Sequence, residues 1–257
     1  TQMPTYKLTI EYDGTAYHGW QRQANARTIQ ETIENALAVM VKKPVRLVGS
    51  GRTDAGVHAL GQTAAFHSPV TIPARAFVAG LNSLLPDDIV IHACESVPDH
   101  FHAQYDAKMK TYRYRILNRP LPAAIGRQYA WHVPQPLDMQ AMELAAGHLL
   151  GTHDFKSFEA SGSPRSHTTR TVSDARLYWE DEAHIVFEIT ANGFLRFMVR
   201  NIVGTLADVG RGRTTPAEFE HIRLSADRAA AGDTAPPHGL FLVRVNYEAV
   251  AATPLSR

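Results

Sequence analysis

The sequence predicts an α+β fold of two ferredoxin-like βαββαβ halves, with antiparallel sheets joined around a central cleft and helices on the outer face. Three observations carry that expectation. Within residues 1–105, apolar runs of strand length and two stretches of helical periodicity occur in the order βαββαβ. The same order recurs, with little residue identity, within residues 106–257. The chain has 257 residues, 44% of them hydrophobic, which is enough to fill one large domain or two ordinary ones.

In the first half, Lys7 to Tyr12 reads as a strand ended by the Asp13-Gly14 turn. A helix is expected from about Thr28 to Met40. Thr28 and Glu31 have capping-box spacing, and Ile29, Ile33, Ala36, Leu37 and Met40 form its apolar stripe. Arg46 to Gly49 and Gln62 to His67 read as the next two strands. A helix follows, with Pro73 in its first turn and Phe77, Leu81 and Leu84 on one face. Ile89 to Cys94 closes the half.

In the second half, Lys110 to Leu117 reads as a strand, and Met142, Ala145, Ala146 and Leu149 mark a helix entered through Asp138. Ser173 to Trp179 and His184 to Thr190 are expected to pair as a hairpin. A helix is expected from Phe194 to Leu206, another from about Pro216 to Ala230, and a last strand from Leu240 to Tyr247. Residues 119–128, 159–170 and 232–238 have loop composition.

Net charge is only +1, so overall charge does not announce a nucleic-acid partner. Its distribution is more telling. No acidic residue occurs between Ala107 and Leu137, where Lys108, Lys110, Arg113, Arg115, Arg119 and Arg127 interleave with Tyr112, Tyr114, Tyr129 and Trp131. Such a mixture suits phosphate contact and base stacking. Strand alternation puts Tyr112, Tyr114 and Ile116 on one face, and Thr111, Arg113 and Arg115 on the other. Cys94 is the only cysteine, so no disulfide or thiolate zinc site can form within one chain, as expected of a protein in a reducing cytoplasm. The first residues lack the pattern of a signal peptide, and no apolar run approaches the roughly 18 residues of a membrane span.

Gly49 to His58 read G-S-G-R-T-D-A-G-V-H, with three glycines, one arginine and one aspartate in ten residues. Glycine permits a tight turn and close backbone approach. Such a loop can present Asp54 with Arg52 two residues away, and a guanidinium beside a carboxylate favours its ionised form. The same composition also suits a surface turn with a local ion pair. Arg196 and Arg200 lie four apart on one helix face, and an approach of Arg200 to Asp54 cannot be read from periodicity.

Several strings occur in order over most of the chain. They are Glu11–Thr15 (E-Y-D-G-T), Gly19–Gln23 (G-W-Q-R-Q), Gly51–Gln62 (G-R-T-D-A-G-V-H-A-L-G-Q) and Phe101–Ala103 (F-H-A). They continue with Lys110–Tyr114 (K-T-Y-R-Y), Gly151–Phe158 (G-T-H-D-F-K-S-F), Thr169–Val172 (T-R-T-V), Met198–Gly204 (M-V-R-N-I-V-G) and Gly239–Val243 (G-L-F-L-V). In this order and spacing the chain resembles the tRNA pseudouridine synthase A family.

The resemblance implies isomerisation of uridine to pseudouridine at positions 38 to 40 of the tRNA anticodon stem-loop. It also implies a homodimer with a positively charged cleft, and no cofactor or metal. The family's catalytic aspartate falls on Asp54, its active-site tyrosine on Tyr112, its motif arginine on Arg52, and the arginine that pairs with the aspartate on Arg200. Further candidate RNA contacts are Arg22, Lys110, Arg113, Arg115, Arg165, Arg170 and Arg196. The reaction breaks the C1′–N1 bond, turns the uracil and rejoins it through C5. The residues leave three routes open: attack of Asp54 at C1′, its addition at C6, or removal of the 2′ proton.

Two other classes compete. One is a non-catalytic RNA-binding protein with two RRM-like halves, but the RRM aromatic signature G-F-x-F-V-x-F is missing from the strands. The other is a metal-dependent hydrolase using Asp54, His58 and His67, or His148, His153 and Asp154, but no H-E-x-x-H or comparable ligand spacing occurs.

Overall fold

The computed structural model describes residues 3–162 and 167–248. Its first half runs β1 (Thr5–Tyr12), α1 (Ile29–Val41), β2 (Val48–Gly49), β3 (His58–His67), α2 (Ala74–Leu84) and β4 (Ile89–Val97). The second half runs β5 (Met109–Leu117), β6 (Trp131–His132), α3 (Met139–Gly147), β7 (Gly151–Asp154), β8 (Thr169–Trp179), β9 (His184–Ala191), α4 (Met198–Gly210), α5 (Pro216–Ser225) and β10 (Leu240–Asn246).

This is a mixed α+β molecule with five α-helices and one continuous, mostly antiparallel sheet among the described residues. The expected pair of sheets is merged into that one. Strand order is β4-β1-β3-β10-β5-β9-β8-β7, with β2 beside β3 and β6 beside β5. The halves meet where β10 pairs with β3 in parallel, through Phe241 opposite His58 and Leu242 opposite Ala59. Burial follows the strand period. Tyr6, Leu8, Ile10 and Tyr12 of β1, and Tyr112, Tyr114 and Ile116 of β5, lie in one core with Ile29, Ile33 and Leu37 of α1 and Met198, Ile202 and Leu206 of α4.

Boundaries moved where backbone detail decides them. The Thr28 hydroxyl accepts from the Glu31 N–H at 3.4 Å, but the Glu31 carboxylate pairs with Arg22, also at 3.4 Å. The helix expected from Phe194 begins only at Met198, because Phe197 takes a left-handed conformation with φ 64°. The one expected to reach Ala230 stops at Ser225, where Ala226 has φ 52°. Leu84, expected on the buried face of α2, is exposed at the end of its helix. Cys94 is half-buried against the core, and burial pushes its thiol up to about 12. No helix among the described residues is long and apolar enough to cross a membrane.

Candidate active site

The glycine loop joins β2 to β3 and is held from three sides. Below it, Ser50 N–H donates to Thr63 O at 2.7 Å, Ser50 Oγ donates to Gln62 Oε1 at 2.7 Å, and Gln62 Nε2 donates to Gly51 O at 3.0 Å. Behind it lies the segment after β1. Trp20 N–H donates to Thr53 O at 3.0 Å, and the Tyr12 hydroxyl shares a buried 2.7 Å hydrogen bond with Thr53 Oγ1. A Cβ on Gly19, whose φ is +87°, would stand 2.6 Å from Thr53 O, and one on Gly14 would stand 2.0 Å from Val57 O. Both positions require a bare backbone. From the second half, Lys110 Nζ of β5 donates to Ser50 O at 2.6 Å. That ammonium is partly buried, which lowers its pKa to about 8.

At the crest of this loop, Asp54 Oδ2 accepts from Arg200 Nη1 of α4 at 3.2 Å, so the carboxylate pairs across the halves. Arg200 is oriented by a second bond, from Nε to Ala235 O at 2.8 Å. Burial raises the Asp54 pKa above its usual value, and the nearby charges of Arg200 and Arg196 offset only part of that. The ion pair therefore works against desolvation to keep the carboxylate available. Arg52, the partner suggested by loop spacing, is exposed and has no ion pair among the described residues.

Tyr112 lies on the core side of β5, its ring edge-on to Phe194 at 4.9 Å. Its hydroxyl makes no hydrogen bond among the described residues. Burial first, then Tyr12 and the Asp54 charge, push its pKa well up, so it remains a proton-bearing donor. The basic and aromatic residues of β5 separate by face. Arg113 pairs with Glu188 at 3.1 Å and Arg115 with Glu180 at 2.6 Å, around a hollow lined also by Glu11, Asp13 and Tyr129. That face is opposite the one bearing Tyr112.

Arg22 pairs with Glu31 and Glu34 at 3.4 and 3.1 Å, Arg170 Nη1 donates to Thr169 O at 2.6 Å, and Arg196 is exposed beside Phe197. Arg165 lies outside the described residues.

His58, four residues beyond Asp54, had no assigned role in the sequence beyond a weak metal-ligand pattern. It is a buried junction. Its Nε2 faces Gln128 O at 3.0 Å and His238 O at 3.1 Å, and its Nδ1 accepts from Gly14 N–H at 3.0 Å. No group of three or more His, Cys, Asp or Glu side chains placed to hold a metal ion occurs among the described residues.

A mixed α+β sheet thus carries one loop-borne carboxylate, paired with an arginine from the second half of the chain, as its candidate site. Comparisons with known proteins supply the class. The family model described as tRNA pseudouridine synthase matches residues 8–106 and 145–248. The tRNA pseudouridine synthases A of Thermoanaerobacter sp. (strain X514) and Acetivibrio thermocellus are each 49% identical to the chain over 245 residues, covering 95% of it and all of each relative. That of Geotalea uraniireducens (strain Rf4) is 47% identical over the same coverage. The chain belongs to the tRNA pseudouridine synthase family, and is an isomerase acting on tRNA uridine.

Proposed function

We propose that the chain converts uridine to pseudouridine at positions 38 to 40 of the tRNA anticodon stem-loop, with Asp54 as the catalytic carboxylate. The observation that carries this reading is the 3.2 Å contact of Asp54 with Arg200, on a loop held in place by its neighbours on three sides. In the reaction C1′–N1 breaks and C1′–C5 forms, C5 loses its proton and N1 gains one. Attack at C1′, addition at C6 and removal of the 2′ proton all begin from an ionised carboxylate, so each requires what Arg200 does for Asp54.

The target uridine leaves its stack at a cost of a few kcal/mol. Arg52, exposed two residues from Asp54, fills the vacated space or holds a phosphate, and Tyr112 lies beside the extruded uracil. Lys110, Arg22, Arg165, Arg170 and Arg196 supply further RNA contacts, whereas Arg113 and Arg115 are engaged by Glu188 and Glu180 on the opposite face. Residues 1–105 and 106–257 act as two βαββαβ halves. The strand orders β4-β1-β3-β2 and β10-β5-β9-β8, joined by one short parallel pair, support that division. The working form is a cytoplasmic homodimer that uses no cofactor.

The test is single turnover on a tRNA transcript lacking the modification, with the product mapped by nucleotide. Wild type is expected to modify positions 38 to 40, and Asp54→Asn to modify none. Pseudouridine formed by Asp54→Asn would refute the assignment.

A further inference from the structure

Phe197 stands immediately before α4 with φ 64° and ψ 1°. Glycine takes this left-handed conformation freely, whereas an aromatic residue takes it only at an energetic cost. Such a residue persists where its surroundings over-determine it, and these positions cluster at functional sites. The turn is fixed on both sides: Arg196 O accepts from Ala160 N–H at 2.9 Å, and Phe197 O accepts from Asn201 N–H at 2.9 Å. The ring then lies against two guanidinium groups. Arg196 Cζ is 4.8 Å and Arg200 Cζ 4.7 Å from its centroid.

We infer that Phe197 is a positioning residue, whose ring holds the Arg200 guanidinium at the Asp54 carboxylate, with the Arg196 guanidinium on the same ring. Arg200 has a long side chain with several rotatable bonds, and freezing it costs entropy. The Ala235 carbonyl fixes its Nε edge at 2.8 Å, and Asp54 takes Nη1 at 3.2 Å. The Phe197 ring supplies the third constraint through a cation–π contact. The left-handed turn brings the ring to that place, since a helical Phe197 would project it in another direction. This inference rests on reading Asp54 as the catalytic carboxylate.

The charged and titratable groups acting on Asp54 are Arg200 of α4, Arg196 of the turn before it and Tyr112 of β5, while Arg52 on its own loop is exposed. Loosening the two arginines removes attractions that lower the Asp54 pKa. The acid limb of the pH–rate profile must then move to higher pH.

Phe197→Asn and Phe197→Gly suit the left-handed backbone but lack the ring. They are expected to melt no lower than wild type. Their single-turnover rate should fall by about two- to thirtyfold, the range of one cation–π contact, with the acid limb displaced upward. Phe197→Tyr keeps a π face and should retain both rate and limb. Wild-type rate and limb in Phe197→Asn would overturn the inference, as would a slow Phe197→Asn whose limb has not moved, or a Phe197→Tyr that behaves like Phe197→Asn. Asp54→Asn, assayed alongside, separates the two readings: if it retains activity the catalytic assignment fails, whereas the outcomes just named bear on Phe197 alone.

Discussion

Asp54 Oδ2 and Arg200 Nη1 meet at 3.2 Å, though 146 positions separate the two residues in the chain. The contact bridges the glycine loop of the first half and α4 of the second. It opposes the burial of a carboxylate that desolvation drives toward its neutral form. Its worth therefore lies in the protonation state it favours as much as in the binding it contributes.

Arg200→Lys tests that division. A lysine has one nitrogen, and cannot serve Ala235 O and Asp54 with separate groups as the guanidinium does. Losing one charge-assisted hydrogen bond, about 1.5–3 kcal/mol, corresponds to roughly a ten- to hundredfold fall in kcat/KM. Because Arg200 lowers the Asp54 pKa, weakening it leaves more Asp54 protonated at any given pH, so the acid limb shifts upward. A pH series of single-turnover rates on unmodified tRNA measures both effects.

Asp54→Asn should be inactive yet more stable at neutral pH. Burial holds the folded-state pKa of Asp54 above its ordinary 3.8 despite Arg200 and Arg196. Between those two values the folded chain binds more protons than the unfolded one, so stability declines as pH rises through that window. At pH 7 the ionised group is a net cost, which the neutral Asn side chain removes. The melting temperature of Asp54→Asn should exceed that of wild type at pH 7, and the gap should close on acidification toward 3.8. A variant less stable than wild type at pH 7 would contradict this balance.

Tyr112→Phe separates the ring from the hydroxyl. The hydroxyl has no partner among the described residues, so its removal should leave the melting temperature unchanged. Its raised pKa keeps it protonated, which makes it a donor to the substrate rather than a base. Losing one such bond, about 0.5–1.5 kcal/mol, implies a two- to roughly tenfold slower single turnover. Full activity would confine Tyr112 to packing beside the base.

The strands and most helices were legible because their signals are local: alternation in β1 and β5, the apolar stripe of α1, the capping residue Thr28. The glycine loop was legible as a loop, and its resemblance to a known family pointed to Asp54 and Arg200. Spacing alone offered Arg52 as the partner, since only residues near in sequence can be paired that way. Phe197 was read as the interior of a helix because periodicity weighs side-chain polarity and is blind to a single left-handed residue. Arg113 and Arg115 read as free cations because their partners Glu188 and Glu180 are 75 and 65 positions away. His58 offered only one histidine among thirteen.

His58 joins the two halves and makes stability depend on pH. Its Nε2 faces the carbonyls of Gln128 and His238 and must carry the proton, while Nδ1 accepts from Gly14 N–H. Asp13 Oδ1, 3.1 Å from Nδ1, favours the charged form, yet burial prevails and the His58 pKa lies below its ordinary 6.5. The unfolded chain then binds the extra proton first, so stability is full above 6.5 and is lost as pH falls below it. His238, similarly lowered by burial, contributes to the same slope. His58→Gln can place its oxygen toward Gly14 and its amide toward the carbonyls without titrating. Its melting temperature should therefore fall less than that of wild type between pH 7.5 and 5.5. His58→Phe strands the Gly14 N–H and both carbonyls, at about 1–3 kcal/mol for each group left unpaired, and should be destabilised across the whole range. If His58→Gln showed the wild-type slope, the acid sensitivity would belong to His238 and not to the junction between β3 and β10.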